Sequence, residues 1–424
     1  MSSHSMTKHA RVLLASLTGT TVEFYDFYIY ATAASLVFGP LFFPTADKWV
    51  QLLSSYAVFG VAFIARPVGA ALFGHFGDRI GRKSTLVASL MLMGGSTVLI
   101  AFLPTYAQAG WIAPAILCVL RFGQGLGLGG EWGGASLLAV ENAPKGWEMR
   151  YGMFPPLGAP VGFVVANGFF LILASVLSDQ QFLAWGWRLP FLTSAVLVLL
   201  GLWVRLKLTE TPAFLEAEAH DAIPPVPFAE LLRDHLRPVL AATFSVVACY
   251  ALFYLATAFA LGYGTSVQGY GRQDYLAIEM LAVLFLAGGV IVAGVLADWY
   301  GVRRIMAFGF VGCIFAGLTM APGLGAASLS GVLLWLAASL FVMGFTYGPL
   351  GGFIPALFPA GVRYTAVSLA FSMGGIIGGA LTPIGASALA KAHGLWAVGL
   401  LLVAAGVLSL LGLAMSARSP RSQA

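Results

Sequence analysis

Charge is scarce in this chain. Asp, Glu, Lys and Arg make up 9% of its 424 residues, against about 25% in ordinary soluble domains. A water-soluble surface cannot be covered at that density, so a soluble enzyme and a nucleic-acid-binding domain are both excluded. Cysteine is scarcer still: Cys118, Cys249 and Cys313 sit in apolar runs, at spacings that suit neither a disulfide nor a metal. No nucleophile-base arrangement and no zinc-ligand cluster stand out, so neither metal nor cofactor is expected. Gly125-Leu-Gly127-Leu-Gly129-Gly130 spells the dinucleotide fingerprint, but that motif needs a preceding strand and a soluble βαβ unit, and neither is present.

What fills the chain is apolar: 59% hydrophobic residues and a mean hydropathy of +0.89. Runs of the length that crosses a bilayer, roughly 17–25 residues, fall near 11–38, 51–74, 84–103, 112–140, 152–176, 187–207, 239–263, 275–297, 304–322, 329–354, 365–390 and 394–416. Twelve spans predict an all-α polytopic membrane protein with both termini on one side. Basic residues orient such a bundle. Sixteen, including Lys8, Arg79, Arg205, Arg304 and Arg421, fall on the terminal side, against Lys48, Arg188, Arg272 and Lys391 opposite. Cytoplasmic termini are therefore expected. A secretory signal is not, because the first apolar run carries Glu23 and Asp26 and no cleavage pattern follows. The net charge of +5 reflects this orientation and not a nucleic-acid partner.

The longest polar interval, with Pro224, Pro225 and Pro227 among six acids, divides the chain into bundles at 1–208 and 238–424 joined by a linker at 209–237. The halves echo each other. Gly74-His-Phe-Gly-Asp78-Arg79-Ile-Gly81-Arg82-Lys83 follows the second span, and Gly294-Val-Leu-Ala-Asp298-Trp-Tyr-Gly301-Val-Arg303-Arg304 follows the eighth. Pro144 before Arg150-Tyr151 likewise matches Pro359 before Arg363-Tyr364. Repeats of this kind belong to secondary transporters, whose substrate site lies between the halves near the midplane.

Five ionisable residues lie within the spans of the first half: Glu23, Asp26, Glu131, Arg66 and Arg121. Charge inside a membrane is by default functional. Three acids against two bases leave one carboxylate over, a natural proton carrier. Arg121 and Glu131 are about 15 Å apart along one helix and cannot pair. Depths measured from the helix ends suggest two layers, Arg66 with Glu131 and Glu23 below, Asp26 with Arg121 above. The Arg66–Glu131 pair also reads as a structural lock. Glu279, the one acid within the spans of the second half, is expected near an extracytoplasmic end and wetted. Tyr250, Tyr254 and Tyr347 offer shape recognition there, or ordinary packing. Gly125, Gly129, Gly133, Gly374 and Gly378 suit close helix approach.

The Gly74–Lys83 motif and Arg121-Phe-Gly-Gln124-Gly125 resemble signatures of the major facilitator superfamily. Glu23-Phe-Tyr-Asp26-Phe, Ala65-Arg66-Pro67 and Gly127-Leu-Gly-Gly-Glu131-Trp132-Gly-Gly are similar to its metabolite:H+ symporter family, over nearly the whole chain. The resemblance implies two pseudo-symmetric six-helix halves, a bacterial inner-membrane location, and proton-coupled uptake of organic acids or of zwitterions such as proline and betaine. It supports Asp26 against Arg121, since related sugar carriers set an acid of the first helix against an arginine of the fourth. The long C-terminal coiled coil of osmosensing members is not expected. Candidate residues are then Asp26, Glu131 and Glu23 for protons, with Arg121, Arg66, Gln124, Tyr30, Trp132, Tyr250, Tyr254 and Tyr347 for substrate. Gly74, Asp78, Arg79, Gly81, Arg82, Asp298, Arg303, Arg304, Glu141 and Arg150 would form a cytoplasmic gate; the bland reading of its basic residues is topogenic charge alone. A monomer importing a small organic acid is expected. A drug/proton antiporter fits poorly, since two buried arginines repel cations, and an intramembrane enzyme fits less well still.

Overall fold

Backbone polar groups in hydrocarbon must pair within their own segment, so a chain this apolar folds as helices. In the computed structural model, residues 3–44, 47–80, 82–206, 227–359 and 362–417 are described. The first half holds α1 (Ser3–Ala33), α2 (Lys48–Ile80), α3 (Arg82–Ile100), α4 (Ile112–Leu128, resumed at Glu131–Glu141), α5 (Phe154–Val176) and α6 (Leu189–Leu206). The second holds α7 (Leu236–Tyr254), α8 (Arg272–Tyr300), α9 (Val302–Leu318), α10 (Leu329–Tyr347), α11 (Arg363–Gly375) and α12 (Leu395–Ser416). Nine spans among the described residues are individually long and apolar enough to cross a membrane; α1, α3 and α9 complete the twelve. Of the expected linker, residues 209–226 lie outside the described residues, and a short helix, Pro227–Asp234, leads into α7.

The bundle is inside-out relative to a soluble protein. Leu334, Val119 and Phe102 are each more than two-thirds exposed, while Arg121, Asn167 and Thr346 are fully buried. Within each half, glycine sets the spacing. A Cβ on Gly125 would stand 2.1 Å from the Ala62 carbonyl oxygen and one on Gly129 2.2 Å from that of Arg66, so α4 meets α2 backbone to backbone. Gly378 does the same beside α7, where the limit is the Val247 carbonyl at 2.3 Å. The halves meet along α2 with α11 and α5 with α8.

One expectation changes. The Gly74–Lys83 stretch, placed after the second span, is mostly helix, since α2 runs to Ile80; α8 likewise runs past its predicted end to Tyr300. Gly301, at φ +91°, makes the break before α9 in a conformation that disfavours any side chain. Three helices are also interrupted by one wide π turn each. Ala34–Phe38 follows α1, Leu255–Phe259 follows α7 and continues as Ala260–Ser266, and Ile376–Ala380 follows α11 and continues as Leu381–His393. Such insertions concentrate at functional sites. The first two lie at matching places in the two halves.

Candidate functional site

The intramembrane charges of the first half converge where α1, α2 and α4 face α7. Arg121 is fully buried. One terminal nitrogen donates to Gln124 Oε1 at 2.7 Å and the other to the Phe59 carbonyl at 3.1 Å. Its guanidinium lies over Tyr30, with Cζ 3.7 Å from the ring centroid. Gln124 passes the chain on, donating to Thr97 Oγ1 at 2.7 Å, and Thr97 stands beside Asp26. Asp26 accepts the Ser194 hydroxyl of α6 at 2.5 Å, and its other oxygen has no hydrogen-bond partner.

Arg66 reaches across the bundle instead, donating to the Tyr250 hydroxyl of α7 at 2.9 Å while resting on the Phe27 and Phe63 rings. Tyr254 stacks on Tyr250 one turn on, with ring centroids 6.1 Å apart. Glu131 accepts the Ser89 hydroxyl at 3.0 Å, and Glu23 lies within electrostatic reach of Arg66 and Tyr250.

The two-layer pairing expected from depth is therefore corrected. Arg121 is linked to the Asp26 region through Gln124 and Thr97 and not by a direct ion pair. Arg66 is held by a tyrosine of the opposite half and not by Glu131. The physical reason is an aromatic partition: Phe27, Phe59, Phe63 and Tyr254 pack at centroid distances of 5.1–6.1 Å between the two arginines. Their negative ring faces stabilise guanidinium without a carboxylate. Sequence reasoning missed Phe27, Phe59 and Phe63 because aromatic residues in a membrane span read as lipid-facing or packing.

The remaining substrate candidates surround the same region. Tyr250, Tyr254 and Tyr347 line a central void of about 20 Å³ with Phe24, Tyr28 and Phe253. That space suits one water and no metabolite. Trp132 stacks on Phe371 of α11 at 3.7 Å, and its indole N–H and the Tyr30 hydroxyl lack partners. Glu279 is a second correction: it is 1% exposed, and neither oxygen has a hydrogen-bond partner.

Latches between the halves lie at both ends. At the terminal end, Asp298 accepts the backbone N–H of Met149 at 3.0 Å and of Arg150 at 3.2 Å, and pairs with the Arg150 side chain at 3.3 Å. It thereby caps the short helix Glu148–Gly152 from the other half. The Tyr364 hydroxyl donates to the Gly130 carbonyl in the break of α4, and Arg363 stands 4.0 Å from Glu141. Gly74 backs onto Thr365 of α11. Arg303 turns away from this gate to donate to the Ser416 carbonyl at 2.7 Å, and Arg304 is exposed. Gly81, and the side chains of Asp78, Arg79 and Arg82, lie outside the described residues. At the opposite end, Tyr56 and Ser35 both donate to the Ala258 carbonyl in the π turn after α7. Gln273 donates to the Ala174 carbonyl, and Arg272 pairs with Asp179 at 3.2 Å.

Two six-helix halves, latched at both ends around buried charge, have the architecture of a secondary transporter, not of an enzyme. The Major Facilitator Superfamily profile matches residues 17–383. The chain is 47% identical over 411 residues to the inner membrane metabolite transport protein YhjE of Escherichia coli K12, covering 96% of this chain and 93% of that protein. It is 34% identical to the E. coli K12 shikimate transporter, covering 91% and 89%. It is 32% identical to the proline/betaine transporter of Salmonella typhimurium, covering 89% and 77%. Its fold matches the partially occluded inward-open E. coli xylose transporter XylE with a TM-score of 0.76 at 17% identity, over 98% of this chain and 99% of that one. The chain belongs to the major facilitator superfamily, and within it to the metabolite:H+ symporter family.

Proposed function

We propose that the protein is a monomeric inner-membrane symporter that imports a small organic acid with protons, its termini in the cytoplasm and its halves, 1–208 and 238–424, rocking about the central site. The observation that carries this reading is the pair of buried arginines. Neither Arg66 nor Arg121 forms an ion pair among the described residues, and both are steadied by ring faces, a hydroxyl, an amide and a carbonyl. Those partners are weak enough for a carboxylate to displace, and a guanidinium matches a carboxylate with two parallel hydrogen bonds. Asp26, with one oxygen unpartnered, is the group that takes the coupling proton. Proton arrival there alters the charge next to the Thr97–Gln124–Arg121 chain and favours an anion at Arg121, which makes proton and substrate cooperative. Glu131 and Glu23 are the alternative carriers.

A second reading has its own support. The central void is walled by Tyr28, Tyr250, Tyr254 and Tyr347 next to Arg66. An aromatic box beside an arginine suits a zwitterion, with its quaternary ammonium on the rings and its carboxylate on the guanidinium. A thermal-shift screen of the purified protein against mono- and dicarboxylates, betaine and proline separates the two, because a ligand of the folded state raises the melting temperature. Stabilisation by carboxylates alone supports the first reading. Stabilisation by betaine or proline alone replaces it with the second.

A further inference from the structure

On the extracytoplasmic side the latch sits beneath a polar vestibule of about 370 Å³, lined by Ser35, Lys48, Gln51, Leu52, Asp179, Tyr270 and Arg272, among others. Ser35 belongs both to that lining and to the latch, where it and Tyr56 close onto the Ala258 carbonyl. Glu279 lies on α8 within electrostatic reach of Tyr56 of that latch, two turns or about 10 Å along the helix from Arg272 at the mouth. It is buried, and both oxygens lack a hydrogen-bond partner. The ionisable groups near it are Tyr275, one turn away with its own hydroxyl unpartnered, and Tyr56 of the latch.

The helices packed on α8 bring no charge to that depth. α5 and α10 contain no Asp, Glu, Lys or Arg, and the basic pair of α9, Arg303 and Arg304, is at its cytoplasmic end. The short helix Glu148–Gly152 is cytoplasmic too, and Ala260–Ser266 brings only Tyr263. Arg272 and Asp179 neutralise each other at the mouth. Among the described residues no cation and no hydrogen-bond donor meets either carboxylate oxygen, and a charge buried without a partner is costly. Opening the latch would admit vestibule water and remove that cost.

We propose that Glu279 is a proton-binding site of the extracytoplasmic gate. It takes one proton from the outside water as the gate closes and returns it to the same side when the gate reopens. That proton stays on Glu279 through the cytoplasm-open part of the cycle, so it sets the outward-open population without adding to the number of protons imported. This role is separate from coupling at Asp26 and independent of the cargo.

The test uses the full-length protein in nanodiscs without substrate, with Cys118, Cys249 and Cys313 replaced by alanine. Spin labels at Val50→Cys and Val267→Cys, both exposed at the vestibule rim, report the gate distance by pulsed electron paramagnetic resonance. With one titrating group, the ratio of open to closed molecules should rise about tenfold for each pH unit between its closed-state and open-state titration points. Glu279→Gln should stay closed at every pH, and Glu279→Asp should recover the dependence. A wild-type pH profile in Glu279→Gln overturns the proposal, as does a gate that ignores pH in the unsubstituted protein. Should Glu279→Gln fail to fold, infrared spectra in an Asp26→Asn background decide: a protonated-carboxyl band must fade as the open population grows. A band that does not track gate opening refutes the assignment. Neither readout involves transported substrate, so failure here leaves the organic-acid reading standing.

Discussion

Replacing Asp298 with asparagine should open the end of the bundle where the termini lie. The carboxylate is 4% exposed in its side chain and accepts two backbone N–H groups, at 3.0 and 3.2 Å, besides pairing with Arg150 at 3.3 Å. Asparagine keeps one acceptor, loses the other, and turns an amide N–H2 toward a donor. A hydrogen bond to a charged group contributes about 1.5–3 kcal/mol, and the helix start it caps favours negative charge by a few tenths more. The Arg150 side chain is 19% exposed, so the pair itself adds at most about 1 kcal/mol. Because asparagine retains part of this, the closed state should lose about 2–3 kcal/mol, a shift of about 30- to 150-fold toward molecules open at that end. The assay is maleimide labelling, at fixed pH in inside-out vesicles, of a cysteine placed at Ser136 or Ser368, both buried between the halves. Arg150→Ala, which spares both backbone bonds, should give a clearly smaller increase. Labelling within twofold of the parent in Asp298→Asn, with normal insertion, would refute the capping argument and leave the motif as a topology signal.

Three other substitutions probe the centre. Arg121→Lys keeps the charge but loses the guanidinium's contact with the Tyr30 ring and the fork that reaches Gln124 and Phe59, so ligand affinity measured by thermal shift should drop at least about tenfold; unchanged affinity would move the anion site to Arg66. Asp26→Asn should abolish accumulation driven by an imposed proton gradient in proteoliposomes while leaving counterflow exchange, and full accumulation would shift the proton to Glu131. Gly129→Ala puts a methyl 2.2 Å from the Arg66 carbonyl, which should destabilise the first half by about 1–3 kcal/mol and lower the melting temperature of the purified protein. A wild-type melting point there would mean that α2 and α4 are not in backbone contact.

The twelve spans, the duplicated halves and the buried charges of the first half were legible in the sequence, because hydropathy and repeat spacing are properties of single segments. The pairing of the charges was not. Helical rise gives a residue's depth but not what stands beside it, so Asp26 and Arg121 were put together at one level without the Gln124–Thr97 link that separates them. Glu279 was misjudged for a related reason. α8 starts at Arg272, three residues before the predicted span, and the acid is buried with Tyr275 and Tyr56 close by. Ser194 and Ser89, the hydroxyls that hold Asp26 and Glu131, carry no sequence signal, since serine is common at any close helix contact.

The hydroxyl latches at the two ends share one property: Tyr56 and Ser35 close onto the oxygen of Ala258, and Tyr364 onto that of Gly130. Their acceptors belong to the main chain, so no codon change at 258 or 130 deletes them. An alanine scan would find the tyrosines and pass over the places they grip. Selection for revertants of a Tyr56 defect would likewise find no compensating side chain at the acceptor. It would be driven to the far end of the molecule, where a weakened Tyr364 or Arg150 contact rebalances the two closures. Suppressors lying a full membrane thickness from the original lesion are the genetic signature such an arrangement leaves.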